Sequence, residues 1–563
     1  MVEQPDDERY RWLQRLLEMV PGFTSWAVII LPIWLSFSYP SLVAYFVLSF
    51  DFYWLCRALW LAGAVFVAFR RVKAVLAVDW LERCEALRDL AARRATLEAR
   101  LAWLRRGPSP AASGFVSLPA GWIGGRSYGD AAAERRRIRR ELRVIDALEG
   151  AGEPLPAWIE YTHLALIPTY TEPLEKLRAT LRALAAARWP KERLMVAVIT
   201  RQTDEHGIAN VAALRDEFAG SFADFFHILD PLEPGVVIGK SSAMAFGGKY
   251  LYRVLVGERA MDPSRVLITD LDADCRVHRE YFAYLTYKHL TDPNRETQLY
   301  QPIPMFHNNL WDAPLPVRLV SAGCTQIQMW RSVMPEKLYS FSSYTATLKL
   351  VHEVGYWATD AIPEDSRFYW KSFFTYGTRF RAVPLYIPIY GDAVRASGYT
   401  RSLVSQYVQI RRWAWGVTDI PYAIQNAIRH REIPLRSRVW RIANLFAEHI
   451  NWAIAPFVIL FGSNVPLLLN PEFARTTLGQ NLPIYAGWML TLALAALIVL
   501  IFIEERLVPP RPRDFHPVRR LGSYLQWLAI PLVGFIFSNL PALDAQTRLL
   551  TGRYLEYRVT EKA

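Results

Sequence analysis

The chain has 563 residues, 52% of them hydrophobic and 13% aromatic, with 20 Trp, more apolar surface than one soluble core of this length takes up. A formal net charge of +12 suits nucleic acid, an anionic membrane face or a phosphate-bearing substrate, and the clustering of basic residues beside apolar runs argues for the last two, with no nucleic-acid partner expected. Cys56, Cys84, Cys275 and Cys324 show no C-x-x-C spacing, which leaves neither a disulfide framework nor a zinc site.

Residues 1–22 are acidic and amphipathic without a signal-peptide cleavage site, so an interfacial helix is expected there. The nearly continuous apolar run over 23–72 is long enough for two transmembrane helices turning near Pro40, and Arg70, Arg71 and Lys73 place its end in the cytosol. Over 73–152 the pattern predicts a coiled-coil-like helical hairpin, with Leu87, Leu90, Leu97, Leu101 and Leu104 on one arm and Ile138, Leu142, Ile145 and Leu148 on the other. Such a hairpin either packs on the neighbouring domain or offers a platform for a protein partner or self-association.

Residues 153–400 alternate β-rich runs (HLALIPTY, LMVAVITR, DFFHILD, SRVLITDLDAD, TQLYQPIPMF) with amphipathic segments, the rhythm of an α/β domain with an open, mostly parallel sheet. Interfacial helices are expected over 401–436, three or more transmembrane helices over 437–545, and a tail over 546–563. Three such spans would carry the tail across the membrane. Because Pro531 and Pro541 interrupt the last apolar stretch, that stretch is expected to double back.

Sheets of this kind bind ligands at the carboxyl ends of their strands, which directs attention to DLDAD. Asp270, Asp272 and Asp274 fall within five residues after RVLIT; they form either an acidic turn or a site for Mg²⁺ or Mn²⁺ facing a diphosphate. Thr169, Tyr170 and Glu172 in IPTYTEP open a helix where backbone N–H groups suit a nucleoside or its phosphates. Lys240 offers a cation to a phosphate, Glu364 and Asp365 a second carboxylate pair with a candidate general base, and Gln409, Arg412 and Trp413 a site for diphosphate and sugar. The bland alternatives are a surface lysine, an acidic loop and an aromatic membrane anchor.

The order IPTYTEP, D-x-D in DLDAD, ED in IPEDS and Q-x-x-R-W in QIRRW, followed by apolar helices, resembles family 2 glycosyltransferases of the cellulose, chitin and hyaluronan synthase type. The resemblance covers roughly residues 160–562 and implies a GT-A (Rossmann-like) fold, a UDP-sugar donor, a divalent metal and inversion at the anomeric carbon. It further implies that Asp272 and Asp274 hold the metal, that Asp365 beside Glu364 is the catalytic base, and that Lys240, Gln409, Arg412 and Trp413 bind the nucleotide-sugar and acceptor end. Tyr557, Val559, Thr560 and Lys562 resemble a gating loop, F-x-V-T-x-K, with Tyr in place of Phe. The family's base-reading Asp pair after the second strand is replaced by ITRQTDEHG, which leaves Asp204 as the nearest carboxylate.

The implied protein is a multi-pass enzyme of a bacterial plasma membrane with a cytosolic catalytic domain, the bilayer itself and a glycan or lipid acceptor as its partners, and polysaccharide synthesis as its role. Single-sugar transfer to a membrane lipid and a non-catalytic scaffold are the alternatives.

Overall fold

The computed structural model describes residues 8–106, 128–150, 155–231, 236 and 239–555. Two long helices open the chain, α1 (Glu8–Leu35) and α2 (Pro40–Leu76), followed by a helical pair, α3 (Leu90–Arg106) and α4 (Tyr128–Gly150). The expected break at residue 22 between an interfacial helix and the first span is absent, because α1 runs on through Pro21. Gly22 lets α1 cross a later helix closely: a Cβ there would lie 2.6 Å from the Gln546 carbonyl oxygen.

Leu97, Leu101, Leu104, Ile138 and Ile145 bury one seam between α3 and α4, with Leu90 and Leu142 at its edge. Leu87 and Leu148, expected on that seam, pack instead against the main core, since the helix that carries Leu90 begins only after a turn at Asp89. Arg83 and Arg93 close on the buried Glu141, which fixes the root of the hairpin.

The central domain contributes β1 (Thr162–Pro168), α5 (Leu174–Ala185), β2 (Leu194–Arg201), α6 (Glu205–Glu217), β3 (Asp224–Asp230), α7 (Lys240–Tyr252), β4 (Val266–Asp270), β5 (Arg276–Val277), β6 (Gln298–Met305), α8 (Leu315–Val333), β7 (Tyr344–Thr347), α9 (Glu364–Tyr376) and β8 (Arg381–Tyr390). They form one eight-stranded sheet in the order β3-β2-β1-β4-β7-β6-β8-β5. Strands β3, β2, β1 and β4 are parallel neighbours, as are β6 and β8, while β7 runs against both β4 and β6. β2 is buried along its whole length, as a strand covered on both faces must be. The chain builds outward from β1 to β3 and then returns to the other side of β1 for β4. That reversal of strand order opens a crevice at the carboxyl ends of β1 and β4.

Beyond the sheet come α10 (Tyr399–Ala414), α11 (Asp419–Arg429), α12 (Leu435–Phe461), α13 (Thr477–Leu507) and α14 (Leu540–Thr551). Among the described residues five segments are long and apolar enough to cross a membrane: Trp12–Leu35, Pro40–Leu76, Leu435–Phe461, Thr477–Leu507 and Pro517–Thr551. The inner turns of α2 and α13 share one core with the sheet, through Val65, Phe69 and Val72 of α2 and Leu500 and Ile503 of α13. Midway along α12, Glu448 pairs with Arg331 of α8 at 2.8 Å.

The fifth segment is tied to the rest of the fold along its length. Near its start Arg519 donates to the Trp311 carbonyl at 2.6 Å and Arg318 donates to Gln526 at 2.9 Å; toward its end Asp544 pairs with Arg411 at 2.9 Å. At its end Arg15 donates to the carbonyls of Leu549 and Leu550. The segment is a bent helix packed against α8, α10 and α12. Its 3₁₀ turn at Gln526–Ala529 and π turn at Phe535–Asn539 flank Pro531 and precede Pro541, residues that remove backbone donors from a continuous α-helix. Helical structure continues to Thr551, past the expected boundary at 545. Tyr557, Val559, Thr560 and Lys562 lie outside the described residues.

Candidate active site

Strand β4 ends on Asp270, whose carboxylate is buried, and the next four residues turn back beneath it. Asp272, Asp274 and Cys275 each present a ligand atom, all within 4.8 Å of one another. The turn is held by backbone and side-chain bonds: the Cys275 N–H donates to the Asp272 carbonyl at 2.9 Å, Asn308 Nδ2 to the Asp274 carbonyl at 3.0 Å, and the Asp392 N–H to Asp274 Oδ2 at 3.1 Å. Two carboxylates on a rigid turn suit a small hard cation that keeps further positions for substrate oxygens. The Cys275 sulfur is a soft donor and matches such a cation poorly.

Lys240, the first residue of α7, reaches across the strand ends. Its Nζ lies 3.1 Å from Asp270, 2.7 Å from Asp272, 3.5 Å from Glu364 and 4.0 Å from Asp365. Burial alone would lower its pKa, but these four carboxylates raise it well above the usual lysine value. The ammonium expected to meet a phosphate thus stands in the middle of the acidic cluster and joins the strand-end carboxylates to those of α9.

Ser342 completes the cluster. Its φ of +57° is uncommon for a side-chain-bearing residue, and this conformation turns three groups inward. The N–H donates to Asp365 Oδ2 at 2.7 Å, the hydroxyl to Asp272 Oδ2 at 2.8 Å, and the carbonyl accepts from Lys240 at 3.2 Å. Asp365, in the first turn of α9, keeps Oδ1 buried without a hydrogen bond. Burial first, then repulsion from Glu364 and Asp272, pushes its pKa up to about 8 against the pull of Lys240 and the Ser342 N–H. A carboxylate so placed is a strong proton acceptor.

The opposite wall is the turn after β1. Thr169 donates to Glu172 Oε2 at 2.8 Å, the Tyr170 N–H donates to the same oxygen, and Thr171 takes a φ of +59°. Burial raises the pKa of Glu172 despite these bonds. Asp204 caps α6 by accepting from the Gly207 N–H at 2.9 Å, and its other oxygen accepts from the N–H of the cavity-lining Thr171 at 3.4 Å. The end of β2 instead presents Arg201, paired with Asp230 and bonded to the Gly239 carbonyl and Ser242, each at 3.1 Å. Lys176 of α5 pairs with Asp392 at 3.0 Å beside Asp274.

All these walls enclose one cavity of about 740 Å³. Thr169, Tyr170, Glu172, Lys240, Asp272, Asp274, Glu364, Asp365, Gln409, Arg412 and Trp413 line it, whereas Asp204 does not. Trp413 sits on α10 with its ring 5.3 Å from Phe341 and 6.0 Å from Phe306, which fixes its plane over the mouth. Ser342, Arg201 and Lys176 also line the cavity and have no motif of their own; only Arg201 carried a sequence signal, as the basic residue standing where an acidic pair was awaited.

No family model matches the sequence, and no curated protein matches it. Among solved structures the chain is similar to a mannosyltransferase from Pyrobaculum calidifontis in complex with GDP-Man and Mn²⁺, at 14% identity and a TM-score of 0.40, over 74% of this chain and 95% of that one. It is similar to S. aureus TarS 1-349 at 13% identity and a TM-score of 0.31, over 70% of this chain and 93% of that one. GalNAc-T7 with UDP, GalNAc and Mn²⁺ follows at 12% identity and a TM-score of 0.32, over 51% of this chain and 58% of that one.

Proposed function

We propose that this chain is a membrane-embedded, metal-dependent glycosyltransferase of the GT-A type that moves a sugar from a UDP-sugar to an acceptor hydroxyl with inversion, in polysaccharide synthesis. The observation that carries the reading is the convergence of segments 169–172, 240, 272–274, 364–365 and 409–413 on one cavity at the switch point of the sheet, with Asp365 Oδ1 buried and without a hydrogen bond inside it. In this reading Asp365 takes the proton of the acceptor hydroxyl while the hydroxyl oxygen bonds to the anomeric carbon. The bond from that carbon to the donor diphosphate breaks on the opposite face. Lys240 and Arg412 meet the charge left on the diphosphate, and Trp413 orients the acceptor sugar. A divalent cation on Asp272 and Asp274 supplies further charge neutralisation there.

The test is nucleoside diphosphate release by the lipid-reconstituted protein with Mn²⁺ or Mg²⁺ across UDP-sugars, with GDP-sugars included because Arg201 occupies the end of β2. Absence of turnover and of nucleotide binding would overturn the assignment. Asp274→Ala is expected to weaken Mn²⁺-dependent nucleotide binding at least about tenfold, by analogy with the loss of a metal-orienting group, while leaving metal-free binding unchanged; titration of a fluorescent nucleotide with and without Mn²⁺ reads the difference.

The raised pKa of Asp365 sets a pH dependence. A base must be ionised to act, so transfer falls as pH drops through its pKa. The acidic limb of kcat/KM is therefore expected well above the ordinary carboxylate range near 4, and a limb at pH 4 would speak against Asp365 as the base.

A further inference from the structure

A second cavity of about 710 Å³ lies away from the active site, between α11 and the first turns of α12. Its walls are apolar, and Ile428, Leu435 and Val439 are 51%, 66% and 55% exposed. Two guanidiniums stand at its mouth. Arg438 donates to the Ala427 carbonyl and keeps Nε buried without a hydrogen bond, and Arg431 reaches only the Ile428 carbonyl, at 3.4 Å. Among the described residues neither has a carboxylate within ion-pair distance, the nearby Glu432 being bonded to His430 at 2.8 Å.

The groove lies at the N-terminal end of α12, a helix long and apolar enough to cross a membrane. On the same level α1 presents Trp12 and Leu16, 62% and 49% exposed, and Gln14 of α1 accepts from Gln425 of α11. At that depth the surrounding apolar phase is acyl chain and the surrounding charged layer is lipid phosphate.

We infer that this groove is a binding site for an anionic phospholipid of the host bilayer, its acyl chain lying between α11 and α12 and its phosphate on Arg431 and Arg438. The occupant follows from charge as well as position: two guanidiniums that form no ion pair among the described residues, with only Glu432 near them and that carboxylate bonded to His430, favour a headgroup with net negative charge over a zwitterionic one. The opposite face of α11 holds Asp419, which accepts from Ser366 and, at 2.7 Å, from Arg367 Nε. Both donors follow Asp365 directly on α9, so the lipid backs the helix that steadies the acidic cluster. The inference does not depend on the reaction proposed for the site.

The test is native mass spectrometry of the full chain in detergent, titrated with palmitoyl-oleoyl phosphatidylglycerol and, separately, with the phosphatidylcholine of the same chains. Phosphatidylglycerol is expected to bind more tightly, and Arg431→Gln to weaken it about fivefold, the worth of one basic side chain at an anionic lipid. Ala443→Phe, which fills the groove from an exposed position of α12, is expected to weaken it about tenfold or more by displacing about two methylenes. Equal affinity for the two lipids would overturn the inference, as would undiminished binding in Ala443→Phe or displacement of the lipid by glycerophosphate at equal concentration.

Discussion

Asp365→Asn is expected to lower sugar transfer by about 10²–10⁴-fold, the usual worth of a positioned general base, while nucleotide binding stays within about twofold of wild type, the asparagine leaving every other group of the site in place. The asparagine keeps the shape of the side chain and can still accept from the Ser342 N–H. What it loses is the proton-accepting capacity of Oδ1. It also removes one of four carboxylates gathered around a single ammonium, so the folded protein is not expected to lose stability. Measuring diphosphate release and nucleotide affinity on the same preparation separates the two effects. Full activity in the variant would refute the base assignment, and a parallel loss of affinity would make Asp365 a positioning residue instead.

Lys240→Met is expected to have the largest effect on stability. Removing one partner of a buried charge cluster costs about 3–5 kcal/mol, here because Asp270, Asp272, Glu364 and Asp365 lose the ammonium among them. At about 2–4 °C per kcal/mol for a domain of 150–250 residues, thermal unfolding in detergent should begin about 6–20 °C lower. The carboxylates can escape part of the cost by taking up protons, since burial and mutual repulsion already hold Asp270 and Asp365 above the usual range. The deficit should therefore grow as pH rises and these groups ionise. Added Mn²⁺ is expected to restore part of the stability through Asp272. An unfolding temperature unchanged at high pH would mean that Lys240 does not carry the compensation drawn from its contacts.

Much of the site was legible as a list of residue types at strand ends. DLDAD after RVLIT had to lie at a carboxyl end if RVLIT was a parallel strand, and the apolar runs on both sides required a membrane. β8 was not legible: RAVPLYIPIY contains Pro384 and Pro388, and proline argues against an interior strand. The sheet accepts it through an irregularity in its register with β6 between Gln301 and Ile303. Asp204 was the reasonable choice for a base-facing carboxylate by proximity alone, yet a helix starts at the next residue, and the unpaired N–H groups of that first turn claim its side chain.

Local pattern thus determined the mixed α/β class, the helices long and apolar enough to cross a membrane and most of the side chains that line the cavity, because periodicity, strand-end position and residue type are properties of short segments. Three things only the tertiary structure decided. Lys240 meets four carboxylates drawn from β4, the turn after it and α9, a pairing set by the order of strands. Ser342, in a loop without a motif, bridges Asp272 and Asp365 through a backbone conformation that composition does not reveal. The last apolar segment, long enough to cross a bilayer, takes its bent course with Arg318, Arg411 and Arg15, spread over some 400 residues of chain, bound along it. Each depends on partners distant in sequence, and no local pattern records which partner a side chain will find.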